Sequence, residues 1–205
     1  VSWVHWYCSM SGNEFYCEVP EEYIEDDFNL TGLPSLVKDY DRCIDTILDI
    51  EQEEMESDTD EALLEENAEK LYGLIHARYI ITKHGLYTMH NKYANGAFGV
   101  CPRDLCYGAH VLPVGISDVM NVSTVKLFCP SCLDLYNPPS SRYSSVDGAF
   151  FGTTFPHLFM LTYPDVIHCR EPEDGIQFIY QERIFGFKVN ENAASGGKMK
   201  WLRRY

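Results

Sequence analysis

Cys101-Pro-Arg-Asp-Leu-Cys106 and Cys129-Pro-Ser-Cys132 are the two stretches from which the rest of the chain can be read. Each is a tight turn that brings two sulfurs together. The 22 residues between them are long enough for an antiparallel excursion and return, which brings the pairs together. Four thiolates then match the tetrahedral preference of zinc. The C-x4-C…C-x2-C spacing predicts a zinc ribbon with one structural Zn2+ per chain, held by Cys101, Cys106, Cys129 and Cys132. Two free-thiol pairs and a disulfide framework are the competing readings. Pro102 and Pro130 fix φ where each turn begins. Val125, Leu127 and Cys129 alternate with Lys126 and Phe128, as in a strand entering the second turn.

A site closed by four protein ligands has no open position at which water could be activated, so the metal is read as structural. Its binding energy then acts as folding energy, on the order of 10 kcal/mol. The sequence carries no G-x-G-x-x-G, Walker A, H-E-x-x-H or G-x-S-x-G pattern, and no H-R-D or D-F-G. The expectation is a scaffold or regulator with no catalytic residues.

With 205 residues, 45% of them hydrophobic, the chain can form one domain or two small ones around a substantial core. Eight unevenly spaced cysteines do not make a secreted disulfide scaffold, and no secretory signal is read at the start, which opens on Val1. A reducing intracellular compartment is expected, with Cys8, Cys17, Cys43 and Cys169 as small buried or half-buried side chains. No stretch approaches the roughly 20 apolar residues of a membrane span. The formal net charge of −15 repels phosphate backbones and favours basic proteins or polyamines as partners. That charge is concentrated between Asp49 and Glu69, which hold no Lys or Arg, whereas Lys198 to Tyr205 is basic.

Before the cysteines the pattern is helical. Trp3, Trp6, Tyr7, Phe15 and Tyr16 mark a segment docked on a core. Pro20 opens a helix with Glu21 and Glu22 in its first turn and Ile24 and Phe28 on its inner face, stopped by Gly32. A second helix is expected after Pro34, running to Ile50. Residues 51–61 are an acidic loop, either a solvated segment or a docking surface for basic ligands. Leu64, Ala68, Leu71, Tyr72, Ile75 and Tyr79 then form the apolar face of a long helix, which Gly85 ends or breaks before a shorter helix through Tyr93. His76 and His90 lack a ligand at i+4 and are read as structural.

After the cysteines, residues 149–163 are dense in aromatics. Gln177 to Tyr180 and Ile184 to Val189 are read as strands, forming a hairpin around Gln181-Glu182. Phe185 and Phe187 would share one face of the second strand. Such a pair is either core or, if exposed, an apolar anchor, with Gly186 allowing close approach of another backbone.

Taken together these residues resemble the regulatory beta subunit family of casein kinase II, over nearly the whole chain. The resemblance rests on Trp3, Trp6 and Gly12-Asn-Glu-Phe15, on Tyr23-Ile-Glu-Asp-Asp-Phe-Asn-Leu30, and on Leu71-Tyr-Gly-Leu-Ile-His-Ala-Arg-Tyr-Ile80. It continues through both cysteine pairs, Leu112-Pro-x-Gly115, Val125-Lys-Leu, Ser140-Ser-Arg142 and Asp147-Gly-Ala-x-x-Gly-Thr-x-Phe-Pro156. The fold it implies is α+β. An all-α domain over 1–96 carries the acidic loop at 49–61. A zinc-ribbon dimerisation domain follows over 97–163, then a docking hairpin and tail over 164–205.

The function implied is that of a non-catalytic regulatory subunit of a Ser/Thr kinase. It would form a homodimer, dock two catalytic subunits in a heterotetramer, and modulate substrate choice in nucleus and cytoplasm. The docking residues implied are Arg183, Ile184, Phe185, Gly186, Phe187 and Lys188. The acidic loop, with Asp49, Glu51, Glu53, Glu54, Glu56, Asp58, Asp60 and Glu61, would receive polyamines or basic partners. Two departures stand out. Asp104 occupies a place in the first cysteine turn that the family fills with an apolar or aromatic residue, and a charge there would weaken or re-register a dimer seam. Pro139 replaces a Lys before Ser140. The alternative function is a zinc-ribbon transcription or translation factor. It is disfavoured because residues 97–136 offer only Arg103 and Lys126 as Lys or Arg. A zinc hydrolase is third and would need an open metal position.

Overall fold

The computed structural model describes residues 1–51, 58–167 and 183–188. Its architecture is a set of helices followed by a small antiparallel sheet. At the centre is helix α4 (Asp58–Tyr79), whose 22 residues extend about 33 Å. The apolar repeat read from the sequence is its buried face: Ala68, Leu71, Tyr72, Ile75 and Tyr79 are buried, and Leu64 is half-buried. Helix α1 (Trp3–Ser9) packs on it through Trp3 and Tyr7, stacked at 5.0 Å and both edge-on to Tyr72. The aromatic N-terminal segment is therefore docked, as its composition indicated, with Trp6 left partly exposed.

Three helix boundaries differ from the sequence expectation, each through a local hydrogen bond or backbone preference. Helix α2 (Glu21–Ile24) is a single turn. The Asp26 carboxylate accepts the Phe28 N–H at 3.0 Å, turning the chain out of helical geometry and leaving Phe28 85% exposed instead of on an inner face. After Pro34 the chain forms only a 3-10 turn, Leu33–Ser35. Helix α3 (Tyr40–Ile47) starts later, after Asp39 in the left-handed region, and packs against α4. Gly85 does not end the long helix. The break lies at Ile80–Thr82, and Thr82 Oγ1 caps helix α5 (Lys83–Ala94) by accepting the Gly85 N–H at 3.1 Å.

The sheet consists of β1 (Leu112–Val114), β2 (Lys126–Phe128) and β3 (Leu135–Tyr136), in that order, with Leu112 opposite Phe128 and Leu127 opposite Tyr136. Helix α6 (Phe155–Thr162) lies against β1. Buried side chains from Trp3 to Phe159 make one continuous core.

His76 ties three parts of that core together. Its Nδ1–H donates to the Phe150 carbonyl at 2.8 Å, and its Nε2 accepts the Cys17 N–H at 3.2 Å. Burial holds this imidazole neutral, with its pKa lowered to about 4. His90 packs on Tyr163, ring centroids 4.2 Å apart. Both histidines are structural, as expected.

The last described element is a hairpin of β4 (Arg183–Ile184) and β5 (Phe187–Lys188). Its turn is Phe185-Gly186; the turn expected at Gln181-Glu182 lies outside the described residues. Positive φ at both residues, 49° and 85°, reverses the chain and splits the strand expected over 184–189. Phe185 and Phe187 therefore do not alternate along one strand. The strand expected over 177–180 lies outside the described residues, as does Cys169.

Candidate functional site

Two knuckles meet at the end of the small sheet. An isolated bridge between Val100 and His110 and the Cys101 N–H bond to the Ala109 carbonyl close the first knuckle on itself. The second occupies the β2–β3 connection, closed by Cys129 N–H donating to Asp134 O at 3.0 Å. The residue after the second cysteine of each knuckle, Tyr107 or Leu133, has positive φ, 48° and 59°. That left-handed step turns the chain back so that both sulfurs point inward.

The four sulfurs of Cys101, Cys106, Cys129 and Cys132 lie within 4.8 Å of one another, and all four residues are buried. Cys101 to Cys132 and Cys106 to Cys129 are each 3.9 Å apart. Four sulfurs placed 2.3 Å from one tetrahedral metal would be separated by about 3.8 Å. The cluster has the dimensions of a closed four-thiolate metal site, and these residues are close enough to hold an ion. Burial raises the Cys129 thiol to about 12 against the opposing N–H groups of Cys132 and Ser131, and burial with repulsion from Cys129 raises Cys106 further. A bound cation removes that penalty. Burial also acts against the Cys132 thiolate, but the Tyr136 hydroxyl and the Asp134 N–H outweigh it and bring its pKa down. Arg103 and Tyr136 were not singled out from the sequence. Their positions, two residues after Cys101 and four after Cys132, were the available signal.

Asp104 sits in the 3-10 turn Asp104–Cys106 with its side chain exposed, beside Leu105, also exposed. Pro139 is exposed too.

The acidic segment is described only at its ends. Asp49, at φ 55°, is not merely solvated: its Oδ2 accepts the Trp3 N–H at 2.9 Å and fastens the start of α1. Glu65 accepts the Trp3 indole N–H at 2.8 Å. Glu51, Asp60 and Glu61 are exposed, and Asp58 begins α4. Glu53, Glu54 and Glu56 lie outside the described residues.

The hairpin places Arg183, Ile184, Phe185, Gly186 and Phe187 in solvent. Phe185 is 98% exposed and Phe187 79%. Lys188 faces Arg183 in the ladder. Of the two readings available for this aromatic pair, core is excluded among the described residues. Among the described residues no helix is long and apolar enough to cross a membrane.

Comparison with known proteins identifies the family. The sequence profile of the family described as Casein kinase II regulatory subunit matches residues 2–188. The chain is 51% identical to Casein kinase II subunit beta-2 of Schizosaccharomyces pombe, covering 100% of this chain and 80% of that protein. It is 48% identical to Casein kinase II subunit beta of Dictyostelium discoideum, over 94% and 70%. It is 47% identical to Casein kinase II subunit beta' of Drosophila melanogaster, over 94% and 85%. These similarities leave the nucleic-acid-binding alternative without support.

Proposed function

The chain belongs to the casein kinase II regulatory subunit family and is a non-catalytic subunit of that kinase; from that premise we propose that it holds catalytic subunits by its exposed Phe-Gly-Phe hairpin. The observation that carries this is the exposure of Phe185, 98%, in a two-residue turn and of Phe187, 79%, on the strand that leaves it. A tight turn limits backbone freedom, so two aromatic anchors are presented at small ordering cost. Buried aromatic anchors dominate interface energies, each contributing about 2 kcal/mol or more when truncated. Gly186 bears no side chain to obstruct a partner's backbone. Titration calorimetry of the Phe185→Ala, Phe187→Ala double variant with a catalytic subunit tests this. Affinity should fall about a thousandfold if the two losses add, roughly 4 kcal/mol in all; unchanged affinity would sink the assignment.

The metal in this reading is zinc, one per chain, coordinated by Cys101, Cys106, Cys129 and Cys132. The ribbon it holds pairs with a second copy, giving a dimer that carries two catalytic subunits. Metal analysis of the purified chain and its mass in solution check both statements, and a stable dimer without metal contradicts them. The acidic segment between Asp49 and Glu61 attracts basic substrates or polyamines. The role is left to the residues around the Asp49 anchor, since Asp49 itself holds α1. Polyamine binding that is unaltered by neutralising Glu51, Asp60 and Glu61 argues against it. A reducing location, nucleus and cytoplasm, suits a chain whose seven described cysteines are all free of disulfides. Imaging of the tagged chain tests it.

A further inference from the structure

We propose that Cys106 is the oxidation-sensitive corner of the four-cysteine site, the sulfur at which peroxide opens the metal centre. The inference rests on the zinc reading above and concerns how the four sulfurs differ. Hydrogen-bond donors spread the charge of a metal-bound thiolate and reduce its reactivity toward electrophiles, so a sulfur without them is the most nucleophilic of a set. The donors are unevenly shared. Cys132 Sγ lies 3.2 Å from the Tyr136 hydroxyl and is also bonded by the Asp134 N–H and the Arg103 guanidinium. Cys129 Sγ accepts the N–H groups of Ser131 and Cys132. Cys101 Sγ accepts the Arg103 N–H at 3.4 Å. The close polar neighbours of Cys106 Sγ are the other sulfurs.

Access sets Cys129 apart from the other three. Cys129 is fully enclosed, with Phe128, Pro130 and Ser131 buried around it. Cys101, Cys106 and Cys132 are alike at 5%, 6% and 6% exposed, and the residues flanking Cys106, Leu105 and Tyr107, are 51% and 44% exposed.

The chemistry balances with peroxide as the oxidant. The Cys106 thiolate attacks one peroxide oxygen; the S–O bond forms as the O–O bond breaks, hydroxide leaves, and sulfur gives two electrons to the peroxide. Cys129, whose sulfur is 3.9 Å away, is the resolving group. Its thiolate attacks the Cys106 sulfur, the S–S bond forms, and a second hydroxide departs. Two thiolates and one peroxide become one disulfide and two hydroxides. Two ligands are lost from the set, and the metal is released.

Peptide mass spectrometry on the whole chain tests the proposal. Zinc content is measured first; a folded preparation without metal overturns the zinc reading and this one with it, whereas one zinc per chain sets up the test proper. Hydrogen peroxide is then added below one equivalent, and remaining thiols are alkylated after denaturation. Oxidation at Cys106 should exceed that at Cys101 and at Cys132 at least threefold. The leading crosslink should be Cys106 to Cys129, with one zinc released to a colorimetric chelator per disulfide. An even distribution over the four sulfurs, or a leading product at Cys132, overturns the proposal although zinc is present. A second arm uses Tyr136→Phe, which removes a hydroxyl that faces Cys132 and also reaches Cys101. Cys132 oxidation should rise severalfold while Cys106 oxidation is unchanged; no rise at Cys132 overturns the role given to the hydrogen bonds.

Discussion

Phe150 and Phe185 each pair with a glycine, and the two pairs have opposite fates. Phe150 lies over Gly73 of α4, so close that a Cβ on Gly73 would stand 2.3 Å from its ring. It is 9% exposed, and His76 holds its carbonyl. Phe185 precedes Gly186 in a turn and is 98% exposed. The first glycine opens a seat on a helix within the chain. The second only makes a turn possible, and the ring beside it has no seat among the described residues. An aromatic residue contributes to folding when the chain itself offers the complementary surface; otherwise its apolar area is available to a partner.

Truncation should separate the two most strongly. Phe150→Ala removes a buried ring and leaves a cavity between α4 and α6's neighbouring turn, costing about 3–5 kcal/mol of stability. Phe185→Ala removes an exposed ring and should change stability by less than about 0.5 kcal/mol. Urea unfolding of both variants checks the contrast; equal losses would break it.

The next largest effect belongs to the anchor beneath Phe150. His76 stays neutral in the folded chain down to about pH 4, while the unfolded chain takes up a proton near the ordinary value of 6.5. Between those values the unfolded state binds more protons, so stability falls as pH falls, by roughly 3 kcal/mol in all. Above pH 6.5 this contribution is complete. Carboxylates add their own slope at the acid end, so the comparison is with His76→Gln, which has nothing to titrate there. The variant should lose the part of the pH dependence lying between about 6.5 and 4; retention of the full slope excludes His76 as its source.

Gly73→Ala is the sharper probe of the seat. Alanine in an exposed helix interior would be favoured over glycine by about 1 kcal/mol. Here the added methyl meets the Phe150 ring, and overpacking costs typically 1–3 kcal/mol. The net effect should be a loss of about 1 kcal/mol measured by denaturant unfolding. A gain would show that the ring moves aside without cost.

How far these two regions could be read from sequence follows the same division. The apolar repeat of α4 was legible because burial on a helix leaves a periodic trace, and the cysteine spacing was legible because four ligands to one ion must be close. The seat at Gly73 was not, because a glycine within a helix carries no sign of the ring that will cover it. The early end of α2 turned on one carboxylate–amide bond at Asp26, and the start of α5 on the Thr82 hydroxyl, both of which compete with longer-range periodicity. The turn at Phe185-Gly186 was missed because Ile184 to Val189 alternates as a strand would. Residue patterning alone does not reveal that Phe185 takes a positive φ, which asparagine or glycine usually supplies.

That last point supplies the smallest and most selective prediction. Phe185 stands at the first central position of a two-residue turn, with φ 49°. A bulky side chain is disfavoured there, and Asn-Gly is the preferred pair. Since the ring is exposed, its replacement loses little internal packing. Phe185→Asn should therefore leave the hairpin equally or more stable, by up to about 1 kcal/mol, with stronger amide protection at Phe187 in hydrogen exchange. The same substitution removes one of the two proposed anchors and should weaken binding of the catalytic subunit at least tenfold. A well-formed turn with poor affinity would mean that the phenylalanine is kept at a conformational cost for the partner's sake. If Phe185→Asn binds as tightly as the parent chain, the turn's shape rather than its ring is what the partner recognises, and the contrast with Phe150 loses its functional half.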